Sequence, residues 1–224
     1  MLVTGSNRGI GLEFVRQYAA EGARVVATCR EPADAHELHA VDGEVEVARL
    51  DIASEADLDA LVARLDDAPI DLLVLNAAIK GGPHARFGDV DWAVWQRVLD
   101  VNLFGTLRVA MALWPNVAAS FQKRIAVLTS RAGTARNVKA GRSYAYGTSK
   151  AALNLATRQL GLDLAEHGIT VGLLNPGHVR TGIGGANAPM EPADSVRRMR
   201  AVIETLTPER TGRFWHLDGT EIVT

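Results

Sequence analysis

Apolar side chains recur along the chain with two different periods, and the segments that carry them take turns. Between residues 10 and 20, Ile10, Phe14 and Tyr18 stand four apart on one face of a helix, and Gly22 supplies a stop. Residues 24–28 follow as a strand, and residues 45–50 alternate up to Asp51. Ser54 stands where a helix N-cap belongs, with Asp57 in a capping-box-like position three residues later. Leu58, Leu61, Val62 and Leu65 form the stripe of that helix. Residues 71–75 are apolar on both faces, as a parallel strand covered on both sides must be. A long helical stretch is predicted over 90–120, bent near Pro115. Beyond it come a strand at 124–129, a helix at 146–167 and a strand at 169–174. Residues 175–210 are rich in Gly and Pro at first and helical from Pro192, and 213–217 make a last short strand.

With the apolar run at 1–4, strands and long helices alternate from end to end. Such alternation calls for right-handed βαβ units in an α/β fold with a parallel sheet of about seven strands. No repeat, low-complexity tract or linker interrupts it, and a single domain is expected over 1–224. The 24 Lys and Arg against 26 Asp and Glu give a net charge of −2, without the basic stripe that a nucleic-acid partner requires. Cys29 is the one cysteine, which excludes an internal disulfide and a multi-Cys zinc site, and no metal is expected. The opening Met1-Leu2-Val3-Thr4-Gly5 lacks signal-peptide character and no apolar run reaches membrane-spanning length, so a cytoplasmic protein with no membrane partner is expected.

The first chemically suggestive stretch is Thr4-Gly5-Ser6-Asn7-Arg8-Gly9-Ile10-Gly11, between the first strand and the first helix. Glycines there admit a tight turn and let the backbone approach a pyrophosphate, which the helix N-terminus attracts; glycines also simply close such turns. The next strand ends in Cys29-Arg30-Glu31. An acid at the strand end would bind the ribose hydroxyls of NAD, whereas a base accommodates the 2′-phosphate of NADP. Cys29 occupies the place of the acid, and Arg30, with Arg8, favours NADP over NAD. The bland alternative is two solvated arginines, with Glu31 neutralising Arg30. Asp51 is placed either for an adenine amino group or for a turn before the following helix.

Among only three tyrosines, Tyr146 has Lys150 four residues on, so phenol and ammonium share a helix face. A cation beside a phenol favours the phenolate and makes a proton donor and acceptor usable near neutrality. Tyr144 has the uncharged Thr148 at that spacing, and Tyr18 lies on the apolar face of the first helix. Ser130 follows an apolar strand at its carboxyl end, where ligands of open α/β sheets bind, and its hydroxyl can donate to a substrate oxygen.

Taken together the sequence resembles the short-chain dehydrogenase/reductase family over essentially its whole length. Besides the loop, Ser130 and the Tyr146/Lys150 pair, Leu75-Asn76-Ala77-Ala78 matches the family's Asn-Asn-Ala-Gly at two of four positions. Asp100-Val101-Asn102-Leu103 is similar to the segment carrying the active-site Asn, and Pro176-Gly177-His178-Val179-Arg180-Thr181 to Pro-Gly-x-Val-x-Thr. A narrower similarity, carried by the Ser130–Tyr146 spacing, 181–185 and 211–220, is to compact C-factor-like carbonyl reductases. The resemblance implies a Rossmann-type, doubly wound sheet and an NADP-dependent carbonyl reductase or alcohol dehydrogenase. Tyr146 would protonate the carbonyl oxygen, Ser130 polarise it, Lys150 lower the Tyr pKa and hold the nicotinamide ribose, and Asn102 hold a water linking Lys150 to solvent. It also implies cofactor contacts from Gly5, Asn7, Arg8, Gly9, Ile10, Gly11, Arg30, Asp51, Ile52, Asn76, Ala77, Pro176, Gly177, Val179 and Thr181.

A substrate loop is expected at about 177–205, brief between Thr181 and Pro192, with Arg131, Ala132, Val138, His178 and Ile183 as pocket candidates; His178 either faces substrate or is solvated. A homodimer would use the helices at 90–120 and 146–167, the latter carrying Leu153, Leu160, Leu162 and Leu164, although the branch also includes monomers. Two other readings compete: a nucleotide-binding regulatory protein of C-factor type with incidental turnover, and a sugar-nucleotide epimerase. The latter usually carries a larger substrate domain after its Tyr-x-x-x-Lys than the residues following Lys150 provide.

Overall fold

The computed structural model describes residues 1–82, 86, 88–139 and 143–223. Strands β1 (Leu2–Thr4), β2 (Val25–Cys29), β3 (Val45–Arg49), β4 (Leu72–Leu75), β5 (Arg124–Leu128), β6 (Thr170–Asn175) and β7 (Arg213–His216) form one parallel sheet. Their order is β3-β2-β1-β4-β5-β6-β7, so the winding reverses between β1 and β4. Ligands of such sheets bind at that reversal, beyond the carboxyl ends of the strands. This is the single-domain Rossmann-type fold that the resemblance implied, with the parallel sheet that the alternation called for.

Successive residues of a strand point to opposite faces, and the apolar runs use this to fill two cores. Leu73 and Leu75 pack with Ile125, Val127 and helices α3 (Glu55–Leu65), α5 (Thr106–Ala118) and α6 (Tyr144–Leu164). Leu72 and Val74 pack on the other side with Leu12, Phe14, Val196 and Met199 from α1 (Gly9–Ala20) and α7 (Pro192–Glu204). The edge strand β3 is covered less, and four of its five residues are partly or fully exposed. A short helix α2 (His36–His39) precedes it.

Ser54 caps α3 by accepting from the Asp57 N–H at 3.2 Å, but the reciprocal half of a capping box is absent. Asp57 instead accepts from the Asp51 N–H at 2.9 Å and pairs with Arg49, and the Asp51 hydrogen bond first, then Arg49, hold its carboxyl below the usual range. The stretch predicted over 90–120 is interrupted, though not at Pro115, which lies inside α5. Between α4 (Trp92–Leu99) and α5 the chain makes a π turn over Asp100–Gly105. The extra residue in that winding lets Asn102 face the end of β4 while the apolar stripe resumes at Val109. Helix α6 begins two residues before its expected start because the Gly147 N–H closes a first turn on the Ser143 carbonyl at 2.7 Å. On that helix Leu153, Leu160 and Leu164 are buried, whereas Leu162 faces outward. Among the described residues no helix is long and apolar enough to cross a membrane, and no cluster of His, Cys, Asp or Glu has the makings of a metal site.

Candidate active site

Two clefts of about 990 and 910 Å³ meet at Ile10, Asn76 and Thr181 and form one trench across the carboxyl ends of the strands. Its first half is made largely of backbone. No side chain caps the N-terminus of α1, whose N-cap is Arg8 in an extended conformation, so the end of the helix is open to an anion. Gly11 passes so near the Gly5 carbonyl that a Cβ there would stand 2.3 Å from the oxygen. Asn76 locks this loop to β4 by donating to the Thr4 and Gly5 carbonyls at 2.9 and 3.0 Å. Asn7, Arg8, Arg30, Asp51, Ile52 and Ala77 line the same half.

Glu31 does not neutralise Arg30: it pairs with Arg49 at 3.6 Å, and Arg30 has no side-chain partner among the described residues. Asp51 does serve its turn, accepting from the Ala53 N–H at 3.0 Å, and lines the cleft as well. An open helix end, a glycine too closely packed for a side chain and two arginines without carboxylate partners together suit an extended phosphorylated dinucleotide.

The second half is made of side chains. Ser130 follows the end of β5 and caps the turn Arg131–Gly133 by accepting from the Ala132 N–H at 3.1 Å. Gly133 carries that turn against α6, where a Cβ would lie 2.5 Å from the Lys150 carbonyl carbon. Ser130 and Tyr146 line the same cleft, and the Lys150 ammonium lies 5.9 Å from the Tyr146 ring centre. Lys150 is 3% exposed, and its Nζ donates to the Leu128 carbonyl at 2.9 Å. Burial lowers its pKa from 10.5 to about 8. Burial also pushes the Tyr146 phenol above its ordinary value, with the Ser130 hydrogen bond acting in the opposite sense. In this arrangement burial outweighs any lowering of the Tyr146 phenol, and the Lys150 Nζ donates to a strand carbonyl.

Asn102 is fully buried and its side chain is committed. Its Oδ1 accepts from the Ile79 N–H at 2.8 Å, and its Nδ2 donates to the Ile79 carbonyl and Ser149 Oγ. It clasps the segment after β4 to α6, with no side-chain donor left for the water expected of it. Apart from Asn102 and the buried Gly11, every candidate residue lines the trench. Pro176, Gly177, Val179 and Thr181 enter from the segment after β6, which is irregular up to residue 191. From Pro192 the expected substrate loop is helix α7, whose Val196 and Met199 belong to the core. Of the pocket candidates, Arg131, Ala132, His178 and Ile183 line the cleft; Val138 points to solvent and does not. His178 Nε2 lies 2.8 Å from the Gly184 carbonyl.

Sequence reading overlooked the opposite wall. Trp95 and Tyr144 line it, with ring centres 5.9 Å apart, and Trp95 Nε1 donates to Thr148 Oγ1 at 2.9 Å. The four-residue spacing from Tyr144 to Thr148 was visible, but nothing local tied it to Trp95. Asn175, at the end of β6, is also part of this region: it is 3% exposed and its Oδ1 accepts from the Arg131 N–H at 3.3 Å.

A doubly wound sheet with an open glycine-lined helix end on one side of its switch point and Ser130, Tyr146 and Lys150 on the other is an α/β arrangement that could hold a nucleotide beside groups able to move a proton. The profile of the family described as short chain dehydrogenase matches residues 1–192, and the chain belongs to that family. It is 42% identical over 154 residues to the C-signal protein of Myxococcus xanthus, covering 69% of this chain and 92% of that one. It is 31% identical over 224 residues to the 1-hydroxy-2-glutathionyl-2-methyl-3-butene dehydrogenase of Rhodococcus sp. strain AD45, covering 98% and 97%. Among solved structures, NADPH-bound carbonyl reductase from chicken fatty liver matches with a TM-score of 0.91 at 28% identity, covering 100% and 98%. These likenesses place the chain in the carbonyl-reductase-like branch of the family.

Proposed function

We propose that the protein is an NADP(H)-dependent oxidoreductase interconverting a ketone or aldehyde with its alcohol. The observation that carries this reading is the grouping of Ser130, Tyr146 and buried Lys150 at one end of a trench whose other end offers Arg8 and Arg30. Gly5, Asn7, Gly9, Ile10 and Gly11 would cradle the pyrophosphate. Arg8 and Arg30 would meet the 2′-phosphate, and Asp51 and Ile52 the adenine. Asn76, Ala77, Pro176, Gly177, Val179 and Thr181 would border the nicotinamide end. When bound, the dinucleotide supplies a hydride to the carbonyl carbon or accepts one from the alcohol. Tyr146 Oη gives its proton to the carbonyl oxygen as the alcohol forms and takes it back in the reverse direction. Ser130 donates a hydrogen bond to the same oxygen as negative charge gathers on it. Lys150 holds the ribose beside the phenol, and Asn102 keeps the segment after β4 and α6 in register around them. Residues 177–191 would close over the substrate, and the outward Phe104, Met111, Leu155 and Leu162 would pair two copies through the π turn, α5 and α6.

NADPH oxidation over a panel of ketones and aldehydes tests the reading, with Tyr146→Phe expected to lower kcat by about a thousandfold. Absence of turnover with every carbonyl, or full activity in the variant, would overturn it. The 42% identity to C-signal favours a second reading, a C-factor-type regulatory protein that binds the nucleotide and turns over only incidentally. Nucleotide binding without turnover, unchanged in Tyr146→Phe, would establish that alternative.

A further inference from the structure

The wall beside Ser130 carries positive charge that the reaction above does not use. Lys80, Arg86 and Arg131 line the larger cleft, and none forms an ion pair or side-chain hydrogen bond among the described residues. Arg16 and Arg180, which line the other half of the trench, are instead held by Glu37 and Glu191. Arg131 follows Ser130 directly, and its backbone is fixed on both sides. Its N–H donates to Asn175 Oδ1 at 3.3 Å, and its carbonyl accepts from the Thr134 N–H at 3.0 Å and Thr134 Oγ1 at 2.8 Å. The guanidinium is thus tethered to an ordered turn, one residue from the group that would polarise the substrate oxygen.

Two carboxylates, Asp89 and Asp91, also line the cleft. Asp91 Oδ1 is occupied by the Ala93 and Val94 N–H groups at the start of α4, at 2.9 and 3.1 Å. The rest of that wall presents Val94, Trp95 and Tyr144, which carry no carboxylate, so Asp89 is the one unengaged carboxylate among the described residues of this cleft. A guanidinium fork matches a carboxylate or phosphate better than any neutral group, and its worth rises where apolar walls limit water.

We propose that the substrate carries an anionic group, a carboxylate or a phosphate monoester, on the part of the molecule next to its carbonyl, and that Arg131 binds it. This substrate class rests on the oxidoreductase reading, whereas the anion site itself does not require turnover. Arg131 is then a specificity residue: it selects among carbonyl compounds without entering the proton transfer.

Two measurements test it. With NADPH, 4-formylbenzoate and 4-formylphenyl phosphate are compared with neutral methyl 4-formylbenzoate. At least one anion should exceed the ester in kcat/KM by about tenfold, a preference that Arg131→Gln removes and Arg131→Lys partly keeps. Which anion leads identifies the group. Separately, benzoate, phenyl phosphate and neutral benzamide are titrated against tryptophan fluorescence, with no turnover involved. Tighter binding of an anion than of the amide, lost in Arg131→Gln, supports the anion site even if no aldehyde is reduced, in which case the oxidoreductase reading alone falls. Equal binding of anion and amide, or a preference untouched by Arg131→Gln, overturns the proposal.

Discussion

The two ends of the trench are built by different means. Around β1, β2 and β4 the surface is backbone, made by glycines, an uncapped helix end and the carbonyls that Asn76 ties together, with arginines reaching in from solvent. Around β5, β6 and α6 it is side chains, several of them buried and held by polar contacts: Lys150 Nζ on the Leu128 carbonyl, Asn175 Oδ1 on the Arg131 N–H, and Asn102 Nδ2 on Ser149 Oγ. Backbone recognition suits a ligand whose phosphates are always the same, while proton transfer needs groups whose ionisation burial can shift. The difference teaches that one end depends on the close passage of the chain and the other on a polar network.

The strongest way to break this division is to add one methyl group to each end. Gly11→Ala would press on the Gly5 carbonyl, and Gly133→Ala on the backbone of Lys150 and Ala151. Each is expected to cost about 3 kcal/mol in urea unfolding, the upper part of the usual range for overpacking against backbone. The functional losses should diverge, with nucleotide affinity falling in Gly11→Ala and turnover falling at retained affinity in Gly133→Ala. Identical losses would show that the two ends act as one unit.

A smaller effect sharpens the polar rim of the first end. Arg30→Ala should weaken NADPH by about tenfold or more and leave NADH nearly unaffected, as for a charge-assisted contact to phosphate. Equal weakening of both nucleotides in a fluorescence titration would remove Arg30 from the phosphate site.

The buried end should show its character in a pH titration. Burial lowers the Lys150 pKa to about 8 from 10.5, so between those values the unfolded chain binds a proton that the folded chain does not. Stability from this group therefore rises with pH across that window, and its cost is full below about pH 8. Relative to Lys150→Met, the parent should gain in thermal midpoint from pH 8 to pH 10, and a constant difference would count against the buried ammonium. The least effect is expected outside both ends, where Ser54→Ala should cost about 1 kcal/mol of stability by losing the α3 cap, with nucleotide affinity unchanged.

Legibility followed the range of the interaction involved. Glycine spacing, the Tyr146–Lys150 step and the Ser54 cap are properties of a few consecutive residues, and they could be read in place. The π turn at Asp100–Gly105 could not, because its reason is the reach of Asn102 to Ile79 across the end of β4. The fate of Arg30 had the same character. Beside Glu31 in sequence it had an obvious partner, but β3 pairs alongside β2 and brings Arg49 to that carboxylate. Val138, expected in the pocket, is instead exposed and does not line the cleft.

By itself the sequence determined the succession of strands and helices and the parallel sheet, and it pointed to the glycine loop and to Tyr146 as candidate groups. Each rests on a period or spacing that the local backbone enforces. Tertiary structure alone decided which charges are left without partners, which hydrogen bonds Asn102, Asn175 and Lys150 make, and where the trench gains its aromatic wall. Those outcomes depend on groups far apart in the chain competing for the same partners, and the competition is settled only once the sheet has brought them together.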